Sequence, residues 1–302
     1  MEKKQQMNKK AIVTGGAGFI GTHLVKRLLS LGWEVTVIDN FSTGDLDNIK
    51  DLGCKFIEEH IHNPIIQTWE IPHDALFHLA APVSVEESLS NPSKYYEEIV
   101  GGTTNMVEWS LKQGNKNIII ASTAAIYGDS DDLPYKESGA INPISPYARA
   151  KRMTELLLED EFKTNPFKGT ALRFFNVYGE GQRNEGGYLS AVPIFLNQFE
   201  SFKPITVTGD GQQTRDWVYV GDVVSACIDA YNNTDKDEIK IMNVASGQET
   251  SVMDLAEAFG GIITHIEERL EPKRSVADIS KIKKILNWKP ETNLLSWVKQ
   301  IK

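Results

Sequence analysis

The sequence predicts an α/β protein: a doubly wound parallel sheet joined to a smaller α/β lobe. Three observations carry that prediction. Short apolar runs alternate with helical patterns, a glycine array separates the first run from the first helical pattern, and an aspartate closes the second run. The runs are AIVT at 11–14, EVTVID at 34–39, KFIE at 55–58, ALFHLA at 75–80, NIIIAS at 117–122 and TALRFF at 170–175. Strands buried on both faces read as continuous apolar runs, and helices between them supply the crossovers that parallel pairing needs.

The first unit sets the pattern. FIGTHLVKRLLSL at 19–31 places apolar residues at helical spacing, and Gly32 stands where a helix C-terminal cap belongs. Strand, glycine turn, helix, glycine and strand make one βαβ unit. Beyond about residue 176 the rhythm gives way to GEGQRNEGGY and TGDGQQTRD, with IKIMNVA at 239–245 returning one more strand to the sheet. Residues 1–8 read as a tail. Residues 9–175 with about 214–250 read as one domain, and about 176–213 with 251–302 as the smaller lobe. No internal repeat or low-complexity tract appears.

Bulk properties narrow the function. A chain of 302 residues, 41% hydrophobic, can bury a substantial core. The net charge of −9 argues against a nucleic-acid partner, which would need a basic face. Two cysteines, Cys54 and Cys227, form no disulfide framework and fit a reducing, cytoplasmic setting. Nowhere do about 18 apolar residues run together, so no membrane partner is expected. His60 and His62 form an HxH pair read on one strand face, without further ligands to complete a metal shell, so no metal is expected.

TGGAGFIG at 14–21 places Gly15, Gly18 and Gly21 after a strand and before an amphipathic helix. Glycines there allow a tight turn and close backbone approach to a pyrophosphate, while the helix start offers free N–H donors. The competing reading is a purely structural turn. A P-loop is excluded because Thr22 follows Gly21 where the phosphate-binding lysine belongs. Asp39, 18 residues after Gly21, lies at the distance of a carboxylate that accepts ribose hydroxyls. Such a carboxylate repels a 2′-phosphate, which favours NAD over NADP; otherwise Asp39 only caps the turn into Asn40. The large domain is thus read as an NAD-binding, Rossmann-type domain.

Tyr147 and Lys151 lie four apart in SPYARAKRMTELLLEDEF, where Ser145 and Pro146 supply helix-start signals. Both side chains then share one helix face. A tyrosine of ordinary pKa, about 10, is a poor base, and lowering it by about three units requires roughly 4 kcal/mol of phenolate stabilisation. A neighbouring ammonium is suited to that, although the pair alone is equally an ordinary surface Tyr and Lys. NIIIASTAAIYG ends a strand in Ser122 and Thr123, so hydroxyls emerge at the sheet's carboxyl edge, where ligands bind in this fold class.

TGGAGFIG, HLAA at 78–81, the Ser/Thr pair and SPYARAK together resemble the extended short-chain dehydrogenase/reductases, specifically the NAD-dependent epimerase/dehydratase family of sugar-nucleotide enzymes. LRFFNVYG at 172–179, GDGQQTRDWVYVGDVV at 209–224 and RSVADISKIKKILNWKP at 274–290 resemble that family's second-half signatures in matching order. The resemblance implies that Thr123 binds the reacting sugar hydroxyl, Tyr147 is the general base, and Lys151 lowers its pKa while holding the nicotinamide ribose. It assigns NAD to Gly15, Gly18, Phe19, Ile20, Gly21, Asp39, Asn40, Ser42, Thr43, Gly44, His60, Ile61, Leu79, Ala80, Ala81, Ser122, Tyr147 and Lys151. The nucleotide-sugar substrate falls to Ser84, Thr123, Tyr147, Asn176, Arg215, Arg274 and Ser275, with Arg215 facing the diphosphate.

The subclass follows from absences. Dehydratases of the family carry Asp-Glu directly after the catalytic threonine and decarboxylases a Glu at the second position, whereas this chain has Ala124 and Ala125. A nucleotide-sugar 4-epimerase is the simplest expectation. Another sugar-nucleotide oxidoreductase, or a non-catalytic NAD(H)-sensing protein on the same fold, are the alternatives. Departures from the family pattern stand at His60, where an adenine-contacting Asp is usual, and at Ile99, where many relatives have Asn. The resemblance also implies a homodimer through a helix-helix interface. Ser275 stands where strict glucose/galactose epimerases often carry a bulky Tyr, which leaves room for an N-acetyl group unless a side chain such as Tyr188 fills the space.

Overall fold

The computed structural model describes residues 8–183, 190–233, 236–268 and 272–302. The tail up to residue 7 and Tyr188 lie outside these residues. The large sheet is formed by β1 (Lys10–Thr14), β2 (Glu34–Asp39), β3 (Lys55–Glu58), β4 (Ala75–His78), β5 (Asn117–Thr123), β6 (Lys168–Phe174) and β10 (Glu238–Val244). Its strand order is β10-β6-β5-β4-β1-β2-β3, and every pairing is parallel. The order reverses between β1 and β4, and in open α/β sheets ligands bind at that switch point, beyond the carboxyl ends of the strands.

Both faces are buried, as the apolar runs require, except at the edge strand β3, where Phe56 is exposed. Ala11 and Val13 of β1 enter one core layer and Ile12 the other. The first layer packs Leu24, Val25 and Leu28 of α1 (Phe19–Ser30) beside Val223, Val224 and Cys227 of a helix at Val220–Asn232. Opposite lie α2 (Val85–Ser90), α3 (Pro92–Tyr95), a π-helical turn at Tyr96–Gly101, α4 (Gly102–Lys112) and α5 (Pro146–Thr164). Met106, Val107 and Trp109 of α4 and Leu158 of α5 fill that second layer. The cap expected at Gly32 is present: it takes φ +81°, its N–H reaches Leu29, and the Trp33 N–H reaches Leu28.

The smaller lobe contains α6 (Ala191–Glu200), α8 (Val252–Phe259), α10 (Leu294–Ile301) and a parallel pair of β8 (Ile205–Thr208) with β12 (Ile263–Ile266). Phe195, Val207, Leu255, Phe259 and Trp297 form its core. Between lobe and large sheet runs a three-stranded sheet of β7 (Asn176–Tyr178), β9 (Thr214–Tyr219) and β11 (Glu249–Ser251). Thus the 214–250 segment expected in the large domain divides: α7 (Val220–Asn232) and β10 join it, while β9 pairs with β7 and β11. α9 (Ser280–Leu286) returns to the large core through Ile282 and Leu286.

Candidate active site

The glycine turn is built by close approach. A Cβ on Gly21 would lie 2.0 Å from the Gly15 carbonyl oxygen, and one on Gly15 would lie 2.7 Å from the Ala80 nitrogen. Gly15 also takes φ +69°, a left-handed conformation that suits glycine. The turn after β1 and the Leu79–Ala81 segment after β4 therefore touch at the switch point. Gly18 caps α1 without a side-chain hydrogen bond, leaving first-turn N–H groups to meet an anion. This cradle, sterically closed to side chains and open to a pyrophosphate, fits NAD.

Asp39 ends β2 beneath that turn. Its Oδ2 accepts the Ala17 N–H at 2.9 Å and its Oδ1 the Phe41 N–H at 2.9 Å. Burial raises its carboxyl above the ordinary value, against those two bonds, which lower it. Gly44 packs against the Ala17 side chain, and Ser42 donates through both N–H and hydroxyl to Asn40 Oδ1, while Thr43 is exposed. His60 and His62 follow the end of β3 in a turn, not on a strand face, because β3 stops at Glu58. The Asn40 amide lies 3.1 Å from His60 Nδ1, and Ile61 is buried against Gly102. Among the described residues, no group of three His, Cys, Asp or Glu is placed to hold a metal.

The segment expected as strand 75–80 ends at His78, whose ring is wholly buried at the switch point. Burial, and then the Lys151 charge, push its pKa down to about 3, so the ring is neutral. The Thr103 hydroxyl donates to the Ile99 carbonyl at 2.6 Å, which leaves it to accept from His78 Nε2 at 3.1 Å. His78 Nδ1 then accepts from the Thr14 hydroxyl at 2.8 Å, and that oxygen accepts the Ala80 N–H at 3.2 Å. This inferred tautomer joins β1, β4 and α4 in one satisfied chain, with buried Ile99 at its end.

α5 begins as its sequence dictates: Ser145 Oγ accepts the Ala148 N–H at 3.1 Å and Pro146 occupies the first turn. Its face turns Lys151 inward, where Nζ donates to the Ala121 carbonyl at 2.9 Å and burial lowers the pKa to about 8. One turn earlier, Tyr147 meets the edge of Tyr95 at 6.4 Å, beside Ala81, Ile99 and Val100. Tyr95 in turn donates to Glu87 Oε2 at 3.2 Å. Thr123 closes β5 and accepts the Ala125 N–H at 3.2 Å, opening a short 3-10 turn over Ala124–Tyr127. The cation of α5 thus lies against the strand that delivers Thr123.

Ser122 is placed differently from its assignment to NAD: its hydroxyl donates inward to Glu155 Oε1 at 2.6 Å. Glu155 also receives Arg173 through two bonds of 2.9 Å and Arg152 at 2.7 Å. Burial works to raise the Glu155 carboxyl, and these bonds outweigh it and hold it below the ordinary value. Arg173 continues to Tyr127 at 2.8 Å, and Tyr127 to Asn243 at 2.6 Å. Sequence reasoning missed this network; a cation and an acid inside otherwise apolar buried elements, Arg173 in TALRFF and Glu155 in MTELLL, were the available signal.

On the lobe side, Asn176 and Arg215 sit on adjacent strands β7 and β9, and Asn176 Nδ2 donates to the Asp216 carbonyl at 3.3 Å. Ser84 caps α2 by accepting the Glu87 N–H. Arg274 pairs with Glu249 at 2.6 and 3.0 Å, so its guanidinium is turned to a protein carboxylate. Ser275 is half-buried, two residues before Ala277, which bridges to Tyr135.

A family model described as "NAD dependent epimerase/dehydratase family" matches residues 11–245, the stretch that carries the glycine turn, Thr123, Tyr147, Lys151, Asn176 and Arg215. The chain belongs to the NAD-dependent epimerase/dehydratase family. Its cofactor is NAD. The structure is similar to that of UDP-N-acetylglucosamine 4-epimerase from Methanobrevibacter ruminantium in complex with UDP-N-acetylmuramic acid (30% identity, 97% of this chain and 96% of that one, TM-score 0.91). It is similar also to UDP-glucose 4-epimerase from Thermotoga maritima with UDP-glucose (33% identity, 96% of each chain, TM-score 0.90). In sequence it is 35% identical to UDP-glucuronic acid decarboxylase 1 of Arabidopsis thaliana, over 94% of this chain and 67% of that protein. Relatives of this NAD-dependent sugar-nucleotide enzyme therefore include both epimerases and decarboxylases. Among its described residues no helix is long and apolar enough to cross a membrane.

Proposed function

We propose that the protein is a nucleotide-sugar 4-epimerase acting on UDP-glucose/UDP-galactose or UDP-N-acetylhexosamines. The observation that favours this over decarboxylation or dehydration is the turn after β5: Thr123 is followed by Ala124 and Ala125, neither of which carries an acid to move protons at neighbouring carbons. NAD, when bound, would supply the hydride acceptor and donor for C4 of the sugar. Tyr147 removes the C4 hydroxyl proton at its phenol oxygen and gives it back. Lys151, held by the Ala121 carbonyl, places a positive charge one helical turn from that phenol, the charge that favours its ionised form. The Thr123 hydroxyl orients the reacting oxygen, and Asn176 and Arg215 contact the sugar nucleotide, Arg215 facing its diphosphate.

We infer that the enzyme works as a homodimer in the cytoplasm. Met153 and Leu156 support the first, being large apolar side chains exposed three apart on α5. The free cysteines Cys54 and Cys227 support the second.

Incubation with UDP-, GDP- and CDP-sugars, followed by NMR, tests the reaction. An epimerase interconverts two sugars with no net change in reduced-cofactor absorbance and without added reductant. Net consumption of NADH, or carbon dioxide released from UDP-glucuronic acid, would assign the chain to another branch of the family. No turnover of any sugar would favour a sensing role.

A further inference from the structure

Asp216 is fully buried on β9, between Arg215 and Trp217. Its Oδ1 accepts the N–H of Ser246 at 2.7 Å and the hydroxyl of Ser246 at 2.6 Å. Its Oδ2 accepts the N–H of Gly247 at 2.9 Å and that of Ala277 at 3.2 Å. A buried carboxylate is costly unless its lone pairs are filled, and here four donors from two separate segments fill them. Those segments are the turn after β10 and the stretch that bears Arg274 and Ser275.

Successive side chains of a strand point to opposite faces, so fixing Asp216 inward fixes Arg215 outward. The Asp216 carbonyl also accepts the Asn176 amide at 3.3 Å. One residue thus touches, adjoins or anchors the segments that carry Asn176, Arg215, Arg274 and Ser275. We propose that Asp216 is the positioning residue of the sugar-nucleotide site, holding Arg215 on the face of β9 that meets the diphosphate and drawing the 274–277 segment against it. The proposal rests on the reading that this site takes a nucleoside diphosphate sugar.

The test uses the purified NAD-loaded protein with Asp216→Asn and the milder Ser246→Ala, which removes one of the two Oδ1 bonds. UDP affinity is measured by calorimetry, and kcat, KM and NAD content with UDP-glucose. Loss of positioning raises Kd for UDP and KM by about tenfold in Asp216→Asn and about threefold in Ser246→Ala, with kcat within about twofold and NAD content unchanged. Unchanged UDP affinity in a folded Asp216→Asn protein overturns the proposal, as does a joint fall of kcat, NAD content and Tm without a separate change in KM. If Asp216→Asn does not fold, Ser246→Ala decides by the same readout. A wild-type protein that binds UDP but does not epimerise sinks the proposed reaction while these affinities still judge Asp216; one that binds no UDP overturns both.

Discussion

Lys151 donates its ammonium to the carbonyl of Ala121, 2.9 Å away and two residues before Thr123 on β5. This one bond ties the helix that carries the proposed base to the strand that carries the proposed hydroxyl. Because burial brings the ammonium down to about 8, its charge is lost as pH rises through that value, and the support it gives an ionised Tyr147 is lost with it. The kcat of the wild type should therefore fall on the alkaline side of about 8. Lys151→Arg, whose guanidinium stays charged, should be slower but should move that fall to higher pH. A pH-rate profile of both proteins checks this, and an alkaline limb at the same pH in each would assign it to another group.

Tyr147→Phe removes the phenol oxygen and keeps the ring that meets Tyr95 edge-on. The expected outcome is a fall in kcat of about 10²–10⁴ with bound NAD and Tm retained. Turnover followed by NMR decides it, and near wild-type activity would remove Tyr147 from the chemistry.

Arg173→Leu leaves Glu155 buried with only Ser122 and Arg152 for partners. Stripping one member from a buried ion pair costs about 3–5 kcal/mol, which for a chain of this size is a fall in Tm of roughly 5–8 °C. Replacing both Arg173 and Glu155 by leucine should recover part of the loss. Calorimetry of the single and double variants measures it; a single variant as stable as wild type would mean that Glu155 is not charged there.

Nucleotide released by acid from the purified protein should be NAD, since a carboxylate at Asp39 facing the adenosine ribose, as its spacing from the glycine turn implies, would repel a 2′-phosphate. Asp39→Ser should narrow the preference for NAD over NADP. Finding NADP as the principal bound species would overturn the role assigned to Asp39.

Ser275→Tyr should lower kcat/KM for UDP-N-acetylglucosamine by about tenfold or more while sparing UDP-glucose, because a filled pocket absorbs the extra acetyl group only with strain of roughly 1–3 kcal/mol. The wild type should accept both. Equal losses for the two substrates, or none, would place Ser275 outside the sugar pocket.

The large sheet was legible because its strands, the edge strand β3 apart, are largely buried on both faces: each of the six apolar runs falls on a strand, and IKIMNVA supplies the seventh. The glycine turn and the start of α5 were legible because their residues satisfy local backbone demands at Gly15, Gly21 and Ser145. The lobe was not. β7 and β11 are too short to display a period, and β8 and β12, ITVT and ITHI, mix polar with apolar residues in strands paired only to each other. Side-chain allegiance was the least legible part. Nothing local says that Ser122 turns to Glu155, that Arg274 turns to Glu249, or that Asp216 gathers Ser246, Gly247 and Ala277, since each partner arrives from a distant part of the chain.

The two hydrogen bonds that Asp39 accepts have a further consequence. Ala17 lies in the glycine turn and Phe41 in the segment leading to Gly44, so one carboxylate braces both walls of the cradle from within the protein. Both bonds lie within the protein and hold the two walls together without a contribution from the cofactor. Association then carries little conformational cost, and the affinity gained this way appears mainly as slow release. In the proposed epimerase cycle the cofactor is regenerated and has no need to leave, which suits such a pocket.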